Sequence, residues 1–293
     1  MAIYSINDLE QLSGIKAHTL RIWEQRYGVI QPKRTPTNIR YYTDIELRKL
    51  LNISILNKNG FKISLIAKMS DVNISTEIEQ LSKQQNDQET RIDTLAIAMV
   101  EMDEIKFEQI VAGSIERVGF EQTMTDIIFP FLEKISLLYF TGSVKPAQEH
   151  FITMLIRQKI ITEINQIPLI NAINAPKFLI FMPEGEKQEL SLLYLHYLLK
   201  TKGLYVINIG QGITVTDVQV PYDLHEPAYL YTMFTEPHKL PVQQRVETLA
   251  NTFPKATILL SGYQLLAKPI ANPPKNVRIL RNLAETTAFL EKI

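Results

Sequence analysis

The sequence contains no cysteine, which excludes disulfides, thiolate zinc sites and thiol nucleophiles and suits a reducing compartment. No apolar run reaches the ~18 residues that a bilayer span requires, and the opening MAIYSINDLEQL lacks the basic start and apolar core of a secretion signal. A cytoplasmic location with no membrane partner is the expectation. Histidine is sparse, and the five residues His18, His150, His196, His225 and His238 include no pair at i, i+4, so a helical metal-binding pair is missing. No P-loop or Ser/His/Asp signature occurs, and Gly210-Gln211-Gly212 is too short for a dinucleotide fingerprint. No catalytic residue and no metal ligand is therefore assigned, and an enzyme is not expected.

What the chain has is 293 residues, enough for two or three domains, and 45% apolar residues to fill their cores. The formal net charge is zero, but residues 1–72 carry eleven basic against six acidic side chains, a head of +5 on a body of −5. That asymmetry fits a polyanion-binding head. In the head, Asn7 can cap a helix closed by Gly14, and a second helix runs from about Lys16 to Arg26 before Gly28. Ala17, Leu20, Trp23 and Tyr27 recur at helical spacing and should face inward. The opposite face then carries His18, Arg21 and Gln25, flanked by Thr19 and Arg26. Arg and Gln present the donors and acceptors that read purine edges in a major groove, and the basic, proline-containing segment after Gly28 can reach phosphates as a wing.

A polar stretch at 73–90, with four glutamines and no aromatic residue, is the linker candidate, able to hold a short helix through Ile74, Ile78 and Leu81. Residues 91–167 show helical periodicity, with breaks expected at Gly113, Gly119, Pro130 and the turn Thr141 to Pro146, giving a four-helix bundle. Beyond Pro168, the strand runs KFLIFM, LYVINIG, AYLYTMFT, TILLS and VRIL alternate with helical segments near 187–202, 242–252 and 282–292. This predicts a doubly wound, flavodoxin-like or Rossmann-like parallel sheet over 168–293. Its ligand loops should follow the strands at Pro183–Gln188, Gly210–Thr214, Thr235–His238 and Ser261–Gln264.

Residues 3–70, through YSINDLEQLSGI, HTLRIWEQRYGVIQPKRTPTNIRYY, LRKLLNI and NGFKISLI, resemble the winged helix-turn-helix heads of MerR-type transcription regulators. The resemblance implies duplex DNA contacts from Thr19, Arg21, Arg26, Arg34, Arg40 and Tyr41, with Trp23 in the core. It departs at Asn38, where many members place Gly in the wing; Asn tolerates the positive φ such a turn needs. Behind the head, the bundle and sheet are similar to the light- and cobalamin-responsive CarA/CarH/LitR branch and to the cobalamin module of methionine synthase. There the resemblance implies an upper pocket face from Tyr139, Glu149 and His150, with Tyr139 replacing a tryptophan and Phe140 at a position where some members carry histidine. An acidic-x-His-x-x-Gly loop becomes PEGEKQELS, matching Glu186 to the acid, Gln188 to the cobalt-ligating histidine and Ser191 to the glycine. Gly210, Ser261 and Gly262 complete the pocket candidates.

Two readings follow for the body. Either it has lost cobalamin and serves dimerisation or another signal, or it binds a corrinoid without histidine ligation as a light- or ligand-responsive repressor. A corrinoid methyl-transfer module is a third possibility that the missing histidine disfavours. The expected partners are a double-stranded operator, a second copy of the chain or a higher homo-oligomer, and RNA polymerase. No long heptad helix after residue 90 marks the dimer surface.

Overall fold

A computed structural model describes residues 3–84, 88–140, 144–168 and 175–293. They form two compact units, Met1–Leu155 and Ile156–Ile293.

In the first unit, β1 (Ile3–Tyr4) leads into α1 (Ile6–Ser13), which starts at a capping box between Ser5 and Asp8 and ends at Gly14 with φ +73°. The cap is Ser5 rather than Asn7, because the Ser5–Asp8 pair satisfies two orphan donors reciprocally. Next come α2 (Ala17–Tyr27), the hairpin strands β2 (Lys33–Arg34) and β3 (Arg40–Thr43), and α3 (Asp44–Lys58). The three strands form a sheet ordered β1-β3-β2. Leu9, Leu20, Trp23, Leu47 and Leu50 are buried and form the head's core, and α4 (Ile63–Ile66) follows.

Most of the stretch expected as a linker is regular. Asp71–Gln84 is a 14-residue helix, α5, with Ile74 and Ile78 buried and packed against α3. Apolar residues four apart give it one stripe to bury, which its polar composition obscured. The bundle is α6 (Gln88–Glu101), α7 (Glu104–Val118), α8 (Phe120–Thr123) continuing into α9 (Phe129–Phe140), and α10 (Pro146–Gln166). The side chain of Phe140 and residues 141–143 of the expected turn lie outside the described residues.

Two of the expected breaks do not occur. Gly113 sits inside α7, where one glycine costs only about 1 kcal/mol. Pro130 is passed by a π-helical turn at Met124–Ile128, in which the Phe129 N–H bonds to the Met124 carbonyl five residues back. The wider turn accommodates a ring that has no N–H to give. α6 is buried on nearly every side, and its Asp93 accepts from Lys58 of α3 at 2.6 Å and Lys134 of α9 at 2.5 Å. That charged knot ties the head to the bundle.

The second unit holds β4 (Lys177–Ile180), α11 (Glu189–Thr201), β5 (Tyr205–Asn208), α12 (Val215–His225), β6 (Tyr229–Met233), α13 (Val242–Thr252), β7 (Thr257–Ser261), α14 (Tyr263–Ala267), β8 (Val277–Ile279) and α15 (Leu283–Leu290). All five strands are parallel, in the order β5-β4-β6-β7-β8, the doubly wound arrangement expected. Leu179, Leu230, Ile258 and Leu260 share a buried cluster with Val246 and Leu249 of α13 and with Phe253 just past its end. Sequence reading missed α12, which contains Pro221. Its signal was the capping box at Thr214 and Asp217. Among the described residues no helix is long and apolar enough to cross a membrane.

Candidate nucleic-acid interface and sensor residues

The expected reading row stands on α2. Burial of Leu20 and Trp23 fixes the helix rotation and leaves His18, Arg21, Gln25 and Arg26 exposed, with Thr19 half-buried beside His18. In the wing, Lys33 lies opposite Tyr41 and Arg34 opposite Arg40. Two arginines facing each other repel, and each has a polar partner. Arg34 Nη1 donates to Asn38 Oδ1 at 2.7 Å, and Arg40 Nε lies 3.7 Å from Glu24 Oε1. Asn38 adopts φ +66°, the conformation that the turn requires and that Asn tolerates.

Glu24 is the residue that sequence reasoning missed. Besides Arg40 it accepts from the Tyr42 hydroxyl at 3.4 Å, so one α2 carboxylate grips two β3 side chains and sets the wing against the helix. Burial, reinforced by this carboxylate, pushes the Tyr42 phenol up to about 12. The signal was present: Glu24 is the sole acid between Lys16 and Arg40.

The sensor candidates fall in both units. In the first, Tyr139 is 47% exposed. His150 is exposed, with Nε2 3.5 Å from Glu149 Oε2, and Glu149 Oε1 accepts from Thr153 at 3.1 Å.

In the second unit, Glu186, matched to the acid of the loop motif, has partners within the chain. Its side chain is 2% exposed and faces Arg245 at 3.5 Å, while Oε2 accepts from the backbone N–H groups of Thr235 and Glu236 at 2.8 and 3.0 Å. The Arg245 guanidinium lies 3.7 Å from the Phe234 ring centre, and burial holds it below its ordinary pKa. Glu186 thus pins the loop after β6 to the loop after β4. Gln188 is exposed at the start of α11 and makes no side-chain capping bond.

Gly210 donates to Asn208 Oδ1 and accepts from Met182 N–H. Ser261 accepts from the Phe234 N–H at 2.8 Å and hydrogen-bonds Tyr231, whose phenol is pushed up to about 12 by burial. Gly262 has φ +112°, and a Cβ there would lie 2.4 Å from the Phe234 carbonyl oxygen. Only glycine fits.

These residues do not suit histidine-ligated cobalt. PEGEKQELS contains no imidazole, a carboxamide nitrogen has no lone pair to give, and Glu186 is committed to Arg245. Among the described residues, no cluster of three His, Asp or Glu side chains is placed to hold a metal.

Comparison with known proteins agrees with this division. Residues 4–72 match the MerR HTH family regulatory protein model, and residues 91–162 match the B12 binding domain. The chain is a MerR-type transcription regulator. Its B12-binding domain places it among CarH-like regulators. The regulator is 25% identical to the HTH-type transcriptional repressor CarH of Myxococcus xanthus over 221 residues, 73% of each chain. Its head is 33% identical to the HTH-type transcriptional regulator MlrA of Escherichia coli over 66 residues, 22% of this chain and 27% of that one. A monomethylamine corrinoid protein of Methanosarcina barkeri superposes with a TM-score of 0.53 at 11% identity, covering 71% of this chain and all of that one. That likeness concerns the fold alone.

Proposed function

We propose that the protein binds an inverted-repeat operator as a cytoplasmic homodimer through α2 and the wing, and that its body senses a signal without imidazole-ligated cobalt. The observation that carries the DNA contacts is the face of α2: His18, Arg21, Gln25 and Arg26 are exposed, while Leu20 and Trp23 anchor the opposite side. Arg34, Arg40 and Tyr41 extend this surface along the wing. One recognition helix reads too few base pairs for specificity, hence two copies on a two-fold site. The relatives CarH and CarA are named repressors, which favours repression, with RNA polymerase as the competing or contacted partner.

For the body, the commitment of Glu186 to Arg245, Thr235 and Glu236 favours a site rebuilt around a structural ion pair. The exposed Gln188 supports the same reading. Corrinoid binding independent of histidine is the second reading, favoured by retention of Glu149 beside His150 and of the close glycine approach at Gly262. No enzymatic step is assigned to either.

Two experiments test these readings. Full-length protein selected against a random duplex library should enrich an inverted repeat, and Arg21→Ala should not; equal enrichment by both would remove α2 as the reading element. The second is an absorption spectrum after incubation with adenosylcobalamin in the dark and desalting. No corrin band is expected; a retained band would establish the second reading.

A further inference from the structure

A pocket of about 330 Å³ opens in the second unit beside the Glu186–Arg245 pair. That volume is at the low end of small-molecule sites. Its walls come from the loop after β6, the first turn of α13 and the segment Lys268–Ile270 after α14. α13 and Leu265 of α14 belong to the buried cluster that includes Val218 of α12. On the other face of the sheet Phe178 and Tyr229 stack, and Tyr229 meets Phe289 of α15. The pocket therefore lies on the α12 and α13 side, and none of Glu186, Gln188, Gly210, Ser261 or Gly262 lines it. Its occupancy depends on neither reading of the body.

Three kinds of donor line it. The N-cap of α13 is Pro241, which makes no side-chain capping bond. The first amides of the helix, at Val242 and Gln243, thus have no partner inside it and carry the positive end of its dipole. Behind them stands Arg245, whose side chain is 8% exposed. Its Nη2 faces Glu186 Oε1 at 3.5 Å, while Nη1 is buried with no hydrogen-bond partner among the described residues. Buried donors are seldom left unpaired, and a charged one is costly to leave so; an acceptor in the pocket satisfies it. His238 gives the third donor. Its Nδ1 accepts from the Leu240 N–H at 3.0 Å, which puts the proton of the neutral ring on Nε2.

The charge of the lining selects the occupant. Glu186 neutralises Arg245, so Arg245 offers a spare N–H rather than a free charge. Lys239 and Lys268 supply the charge: both are exposed, neither is paired with an acid among the described residues, and no acid lines the pocket. Two cations, a helix start and a buried guanidinium N–H suit a doubly charged tetrahedral oxyanion, which has several acceptors to share. Leu240, Val242 and Ile270 leave one apolar side against which a short organic group can pack.

We propose that this pocket binds a phosphate dianion, free or as the ester of a small organic molecule. An occupant bridges the loop after β6 to α13 and α14, and so braces the same loop that Glu186 holds through the Thr235 and Glu236 amides.

The test is equilibrium dialysis of the full-length protein, free of DNA, against radiolabelled inorganic phosphate at fixed salt, with phenyl phosphate or phenol as competitor. One phosphate per chain should be retained, and phenyl phosphate should displace it where phenol does not. Displacement about tenfold stronger than by unlabelled phosphate assigns the site to an organic ester, and equal displacement assigns it to the free ion. Lys239→Glu and Lys268→Glu, at exposed positions, should each weaken phosphate by about tenfold. Lys255→Glu, past the far end of α13, changes the net charge equally and should leave phosphate bound. Arg245→Lys keeps a cation opposite Glu186 but removes the spare N–H, and should weaken phosphate by about tenfold with far-ultraviolet dichroism retained; if that chain does not fold, the lysine variants decide. Absence of retained phosphate would overturn the proposal. So would equal losses in Lys255→Glu and Lys268→Glu, the mark of net charge alone, or indifference to Lys268→Glu, the mark of phosphate held by the basic head.

Discussion

The recognition helix and the loop after β4 both depend on charged side chains, held in opposite ways. On α2, Arg21 and Arg26 stand in solvent. In the loop after β4, Glu186 is buried and spends both oxygens on the chain itself, on Arg245 and on two backbone N–H groups. A surface cation costs the fold little and is available to a phosphate or base, whereas a buried carboxylate is structural first. The difference teaches how each region treats its charges: the DNA contacts proposed for the head lie on a helix face that folding does not use. The body's expected ligand loop has been drawn into folding.

Breaking the buried pair should have the largest effect. Glu186→Ala leaves the Arg245 cation buried without its counter-charge, which costs about 3–5 kcal/mol, and it releases the Thr235 and Glu236 amides. Hydrogen exchange at β6 and β7 should accelerate accordingly, while operator binding by the head is spared. Unchanged protection would mean that Glu186 is poised for a ligand after all, and the contrast with α2 would collapse. On the other side, Arg21→Ala should leave the fold intact and weaken operator affinity by roughly tenfold to a hundredfold, read in a gel-shift titration at fixed salt. Loss of sequence preference is the accompanying sign, since a phosphate contact would weaken all duplexes alike.

The same contrast governs what the sequence made legible. Leu20 and Trp23 recur at helical spacing, so the α2 face could be read from periodicity, and the five strand runs stood out as short apolar segments between turns. Alternation with helices then sufficed for a parallel doubly wound sheet. The partnership of Glu186 and Arg245 could not be read, because 59 residues separate them and no local pattern links a loop acid to the second turn of a distant helix. Glu24 was missed for a milder reason: its partners Arg40 and Tyr42 come close only once the wing folds back. α12 was hidden by Pro221, although Thr214 and Asp217 announced its start. Gly113 was taken for a break because glycine does end helices; inside α7 it leaves a space instead.

Histidine sharpens the comparison through pH. His196 on α11 is half-buried, with Nδ1 3.2 Å from the Asn208 amide, and burial, with Lys200 adding to it, lowers its pKa from 6.5 to about 4. The unfolded chain therefore binds the proton more readily, so this group's contribution is present above about pH 6.5 and is lost as pH falls toward 4. Hydrogen-exchange protection of β5 should decline across that window, and His196→Gln should flatten the decline. A slope retained in His196→Gln would move the effect to another group.

The smallest expected effect separates positioning from contact within the wing. Asn38→Gly keeps the turn, since glycine adopts φ +66° at least as readily as asparagine, but it removes the Oδ1 acceptor that holds Arg34 at 2.7 Å. An arginine held in place loses less entropy when it meets a phosphate than one that swings freely. Operator affinity should therefore fall by about twofold, with the salt dependence unchanged because the number of neutralised phosphates is the same. Tighter binding would carry the opposite lesson: Asn38 would be withholding Arg34 from DNA, and the wing would share the self-commitment that marks the loop after β4.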